Sequence, residues 1–245
     1  MIYGIYSDIH GNLAALNAVL LSMKERGVER KVCLGDVVGY GPFPNECVET
    51  VTKESDVVIL GNHDIVASEQ ESLEAFNFYA QNAIQWTQKE MNQDALDVMK
   101  QWPYIAQESS CCFVHASPKE PEKWTYVVTL DQAIETFEYF KEAVCFIGHT
   151  HLPVIVVEDK TKTNFPYFVV DGFSHKLQQG QRMLVNVGSV GQPRDGVCSS
   201  AYGLYNSESG EVEIVRVEYN YQETQQAMKK KGFDEFLIHR LEQGK

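Results

Sequence analysis

Five short clusters in this 245-residue chain combine Asp, Asn and His side chains at spacings that could hold divalent cations. They are Asp8-Ile9-His10, Gly35-Asp36, Gly61-Asn62-His63-Asp64, His115 after Cys111–Val114, and Gly148-His149-Thr150-His151. Oxygen donors and imidazoles in near-equal numbers suit borderline ions such as manganese, iron, cobalt, nickel or zinc. A pair of such ions can activate water against a phosphate ester and stabilise the charge that develops.

Each cluster directly follows an apolar run, and these runs must position it. Residues 2–7 read as a strand, and Leu13, Leu16, Leu20 and Met23 recur at helical spacing until Gly27. A second strand is expected over 31–34, a Gly/Pro-rich loop over 35–44, a helix over 45–53 and a third strand over 56–60. This alternation predicts parallel strands with right-handed crossovers. Loops at the C-terminal ends of such strands are where open α/β sheets place ligand sites. The polar stretch 69–101 has no strand pattern and reads as two inserted helices beside the site. Strands over 110–115 and 143–147 flank a helix over 129–141. Short strands over 154–158, 167–170, 182–186, 200–205 and 212–218 suggest a meander, and Phe233, Phe236, Leu237 and Leu241 mark a final helix. The expectation is a single α/β domain over 1–245, with two mixed sheets packed together and helices outside.

Composition narrows the partners. Net charge is −13, from 34 acidic and 21 basic residues, which disfavours a broad nucleic-acid surface. A phosphate substrate stays compatible, because bound cations invert the field locally. No apolar run approaches the ~18 residues that span a bilayer, and the first residues read as a strand and helix, not a signal peptide. A cytoplasmic location is expected, and nothing excludes a homo-oligomer. The six cysteines form no CxxC pair and read as reduced thiols; neighbours Cys111 and Cys112 should face opposite sides of a strand.

The order and spacing of the five clusters resemble the calcineurin-like metallophosphoesterase superfamily, with its DxH…GD…GNH[DE]…H…GHxH pattern. The likeness continues through Asn186–Arg194 (NVGSVGQPR) and is nearest to small single-domain prokaryotic phosphodiesterases. It implies an αββα sandwich and a binuclear centre, manganese being the first candidate. By the same resemblance Asp8, His10 and His151 hold one metal, Asn62, His115 and His149 the other, and Asp36 bridges them with one oxygen on each. A metal-bridging hydroxide would attack a phosphodiester or small phosphomonoester, with His63 as general acid. Asp64 would orient His63 or remain a solvated loop carboxylate. Arg194 would fork onto a phosphate oxygen or form a surface ion pair. Because Asp8 and His10 alternate, as do His149 and His151, a turn or bulge must rotate both members inward.

Tyr40 and Trp124 lie near these loops and read first as core residues, second as pocket walls. His175 and His239 stand outside every cluster and read as ordinary hydrogen-bonded histidines. Ser189 lacks the first glycine of a nucleophile elbow, and no Walker loop occurs. The loop Asp36-Val37-Val38-Gly39-Tyr40-Gly41 lacks the arginine that follows the bridging Asp in phosphoprotein phosphatases and symmetrical dinucleoside tetraphosphatases, which argues against those substrates. The alternative class is a non-catalytic protein-binding scaffold of the same fold; the intact donor set argues for the enzyme.

Overall fold

The computed structural model describes residues 1–164 and 166–245. In the first sheet β1 (Ile2–Tyr6), β2 (Arg30–Cys33) and β3 (Val57–Val58) run parallel, connected by α1 (Leu13–Glu25) and α2 (Pro44–Glu54). The expected parallel order is present, with β1 innermost of the three. Asn12 caps α1 by accepting from the Ala15 N–H, and Ala15, Leu16, Val19 and Met23 bury one face of the helix.

The next third is helical: α3 (Asn62–Ala67), α4 (Phe78–Glu90) and α5 (Gln93–Met99). Asn77 and Asn92 cap the last two. The second sheet then begins with β4 (Ile105–Glu108), β5 (Cys111–Val114), the short helix α6 (Leu130–Thr136) and β6 (Val144–Ile147).

The second half departs from a meander. β7 (Val154–Asp159), β8 (Tyr167–Val169) and β10 (Gln181–Asn186) join the second sheet, whereas β9 (Ser174–Lys176), β11 (Ser200–Asn206) and β12 (Glu211–Val217) join the first. Only the β7–β8 and β11–β12 hairpins follow chain order. β10 instead pairs parallel with β6, and β11 antiparallel with β1, so long-range pairing overrides the local turns. Two helices, α7 (Tyr221–Lys230) and α8 (Glu235–Gln243), close the chain where one was expected.

The sheets stack face to face through Tyr3, Ile5, Val32 and Leu34 on one side and Phe113, Phe146, Val157 and Val185 on the other. Helices α1 and α2 cover the outer face of the first sheet, and α6 that of the second, giving the αββα order. Strand alternation does the sorting: Cys111 enters the inter-sheet core and Cys112 the outer one. All six cysteines are free thiols. Among the described residues no helix is long and apolar enough to cross a membrane.

Candidate metal centre

All five clusters leave the C-terminal ends of parallel strands and meet on one rim: Asp8 and His10 after β1, Asp36 after β2, His115 after β5, and His149 and His151 after β6. The segment after β3 differs from a plain loop, because Asn62, His63 and Asp64 form the first turn of α3. The Asp64 carboxylate accepts the N–H of the Gly61 N-cap, a signal already readable in an acid three residues into the helix.

The loops brace one another through the main chain. Asp8, His10 and Gly11 donate their N–H groups to the carbonyls of Gly35, Asp36 and Val37, while Val190 and Gly191 donate to Ser7 and Asp8. Inward rotation comes from the backbone: Asp8, His10, Asp36, His149 and His151 have φ of 56°, 50°, 51°, 66° and 62°. These left-handed residues break the strand alternation, which lets both members of each alternating pair face the same point. L-residues avoid this region at a cost of roughly 1–2 kcal/mol each. Gly148 is obligatory for packing: a Cβ there would sit 2.1 Å from Ser7 Oγ and 2.6 Å from Asp8 Oδ2.

Three donor groups result: Asp8 with His10 and His151, Asp36 with His115 and His149, and His10 with Asp36 and His63. His151 Nε2 lies 3.2 Å and His10 Nε2 3.9 Å from Asp8 Oδ1, and the two Nε2 atoms are 3.2 Å apart. Across the site His115 Nε2 is 3.1 Å from Asn62 Oδ1 and 3.2 Å from His149 Nδ1. Donors sharing a cation at ~2.1 Å bond lengths stand roughly 3.0–3.5 Å apart, so the residues fit metal ions.

Tautomers support the same reading. His10, His115 and His151 each place Nδ1 at 3.0, 2.9 and 2.6 Å from the carbonyls of Val38, Leu34 and Gln192. A carbonyl only accepts, so Nδ1 carries the proton and the Nε2 lone pair faces the site. Asp8 Oδ1 is buried without a hydrogen-bond donor.

Electrostatics favours a cation. Burial works against ionised Asp8 and Asp36, yet His151 and His115 respectively hold them below the usual carboxylate range. Burial lowers His10 and His151, and takes His149 down to about 3. Burial also opposes a charged His115, but Asp36 draws it up to about 9, a proton that a metal would displace.

Asp36 sits between the groups through one oxygen. Its Oδ2 is 3.7 Å from His10 Nε2 and 3.4 Å from His115 Nε2, while Oδ1 accepts the His63 N–H at 2.9 Å. Oδ2 thus faces the donors on both sides, while Oδ1 also ties the loop to the start of α3.

Asp64 differs from both expectations. It is fully buried and makes no hydrogen bond to His63 among the described residues; instead Oδ1 takes the N–H groups of Val37 and Val38. Burial and the Asp36 carboxylate push it up to about 7. It braces the Asp36 loop against α3. His63 packs edge-on against His10 and Phe76 and tilted against Tyr40, with ring centroids 4.7, 4.9 and 4.8 Å away, and burial takes it down to about 4.

A cavity of about 290 Å³ opens onto Asp36, Asn62, His63, His149 and His151. Arg194 lines it, as do Tyr40 and Trp124, so both aromatics are walls as well as packing residues. Sequence reasoning missed Phe76 and Tyr126, the latter stacked on His149 at 3.9 Å. Only the proximity of Tyr126 to Trp124 could have signalled it. His175 and His239 lie elsewhere, bonded to Gln181 and Glu242.

This sandwich with a rim of buried acids and imidazoles defines a metal-dependent phosphoesterase fold, and the chain belongs to the calcineurin-like phosphoesterase superfamily, whose domain model matches residues 1–209. An uncharacterised protein of Methanocaldococcus jannaschii is 38% identical over 241 residues, covering 97% of this chain and 96% of that protein. A metallophosphoesterase from Sphaerobacter thermophilus superposes with a TM-score of 0.87 at 35% identity, covering 100% of this chain and 99% of its own. A hypothetical protein from Pyrococcus horikoshii OT3 shares the fold, with a TM-score of 0.77 at 19% identity over 100% and 98% of the chains.

Proposed function

We propose that the protein hydrolyses phosphodiesters or small phosphomonoesters at a binuclear metal centre, manganese being the first candidate. The observation that carries this reading is the set of three histidines whose Nδ1–H groups are tied to carbonyls while their Nε2 atoms converge on Asp8 and Asp36. Asp8, His10 and His151 would hold one cation, and Asn62, His115 and His149 the other, with Asp36 serving both. The cations, when bound, would supply an activated water and neutralise phosphate charge.

The remaining work falls to side chains around the cavity. His63, whose backbone is fixed by Asp36, is the proton donor to the leaving oxygen. Its proton affinity, lowered by burial, rises when substrate brings negative charge beside it. Arg194 orients the phosphate from the cavity wall. A volume of about 290 Å³ admits a small ester and supports a small-molecule substrate.

The test is hydrolysis of bis-p-nitrophenyl phosphate by protein loaded with manganese, nickel, cobalt or zinc. His63→Ala should keep its metals and lose ~10²–10⁴ in turnover, whereas Asp36→Asn should lose metal from both positions. Silence with every ion at full occupancy would refute the reading.

A further inference from the structure

The chain contains six arginines. Four are ion-paired: Arg26 with Glu213, Arg30 with Asp56 and Glu108, Arg182 with Glu158, and Arg216 with Asp195. Among the described residues Arg194 and Arg240 have no Asp or Glu partner, although the chain carries a net charge of −13. These two are also grouped together. Their guanidinium carbons lie 5.9 and 5.7 Å from the centroid of one ring, that of Tyr40.

Their hydrogen bonds leave donors to spare. Arg194 gives Nη2 to Gln192 Oε1, and its Nε is buried without an acceptor. Arg240 gives Nε to a main-chain oxygen of Lys245, and among the described residues its two Nη groups meet no acceptor. Burial, and then the neighbouring Arg194, lower Arg240 to about 10. Two like charges held together and partly desolvated cost stability unless an anion joins them.

The fold holds them there deliberately. Leu237, Ile238 and Leu241 of α8 pack in one cluster with Tyr40, and the Arg240 guanidinium lies 5.7 Å from that ring and 5.5 Å from Phe236. Tyr40 in turn touches His10 and His63 at 4.9 and 4.8 Å and lines the metal-facing cavity with Arg194. Arg240 lies on α8, beyond residues 1–209 matched by the family model.

We propose that Arg240, helped by the Arg194 donors not turned to the phosphate being hydrolysed, forms a second anion subsite on Tyr40 beside the metal-facing cavity, which takes a phosphate or carboxylate carried elsewhere on the substrate. The substrate class is then a small phosphate ester with two anionic groups. The assignment rests on the hydrolase reading only in naming that anion as part of a substrate.

The experiment is calorimetric titration of the full-length, manganese-loaded protein with phosphonoacetate and with methylphosphonate, which differ by one carboxylate. The expected result is ~10-fold or tighter binding of phosphonoacetate, the scale of a charged hydrogen-bonded contact. Arg240→Gln should bring the ratio to within about twofold; Arg240→Met, which keeps the stem over Tyr40, should do the same if the Gln variant folds poorly. Equal binding of both probes by the wild-type protein overturns the proposal, as does a preference that survives either substitution. Bis-p-nitrophenyl phosphate is assayed in parallel. A retained preference without hydrolysis removes the hydrolase reading alone, and hydrolysis without a preference removes the subsite alone.

Discussion

Replacing Asp64 with Asn separates a brace from a catalytic group. The carboxylate accepts three main-chain N–H groups, from Val37 at 2.9 Å, Val38 at 3.1 Å and Gly61 at 3.0 Å. An Asn carbonyl in the Oδ1 position can keep the first two, but its NH2 then faces the Gly61 N–H, donor against donor. One buried donor left unmade costs about 1–3 kcal/mol. Ala would strand all three and cost roughly 3–9 kcal/mol, much of the stability of an ordinary domain, so Asn is the informative variant. Val38 also provides the carbonyl that fixes His10, and Gly61 precedes Asn62, so loosening this corner displaces donors in both metal groups. Metal affinity should fall ~10–100-fold, as for other partners that orient ligands. Urea unfolding of chelator-treated protein gives the first quantity, and metal titration gives the second. If Asp64→Asn unfolds at the wild-type urea concentration, binds metal normally and yet turns over slowly, the carboxylate acts on His63 and the brace is wrong.

Other expectations follow from the same coordinates. Gly148→Ala must push its new methyl into Ser7 Oγ and Asp8 Oδ2, so it should cost about 1–3 kcal/mol in unfolding free energy and weaken metal binding; a variant with wild-type values would refute the close packing. Manganese at ~100 times its dissociation constant should add about 2.7 kcal/mol per site. That is a rise of roughly 5–10 °C in melting temperature for a chain of this size, read by calorimetry with and without chelator; coincident melts would count against a metal centre. Hydrogen bonds from Thr161 and Gln181 lower Asp159 to about 2. A depressed folded-state value stabilises above the unfolded-state value near 4 and loses that contribution as pH falls towards 2. The urea midpoints of wild type and Asp159→Asn should therefore differ at pH 7 and converge near pH 2; a gap that persists there would show that ionisation is not the cause.

Local chemistry made the first half of the fold legible. β1, β2 and β3 end in buried or half-buried apolar residues and are separated by helices with an Asn cap or a leading proline, so strand order and direction follow from short-range patterns. The second half misled because a hairpin-like spacing cannot say which sheet a strand joins. β10 is followed in sequence by β11, yet one pairs with β6 and the other with β1, across the inter-sheet core. Helix α7 escaped notice because its sequence is strongly polar, burying only Thr224 and Met228, with no apolar stripe to read.

The donors were legible as residue types, but not their working geometry, because that geometry is unfavourable locally. Five of the seven expected ligands sit at positive φ, where an L-side chain is strained by roughly 1–2 kcal/mol. No propensity argument places Asp8 or His151 there, since propensity records what a residue prefers in isolation. What overrides preference is long-range: the Asp8 N–H held by Gly35, the His10 N–H by Asp36, the His149 N–H by Asp8 Oδ2 at 3.0 Å, and Gly148 admitting that approach. Asp8, His10 and His149 are thus each fixed by a loop from another strand. The strain held at these positions is local evidence of preorganisation: donors already spaced for cations need little rearrangement to bind them.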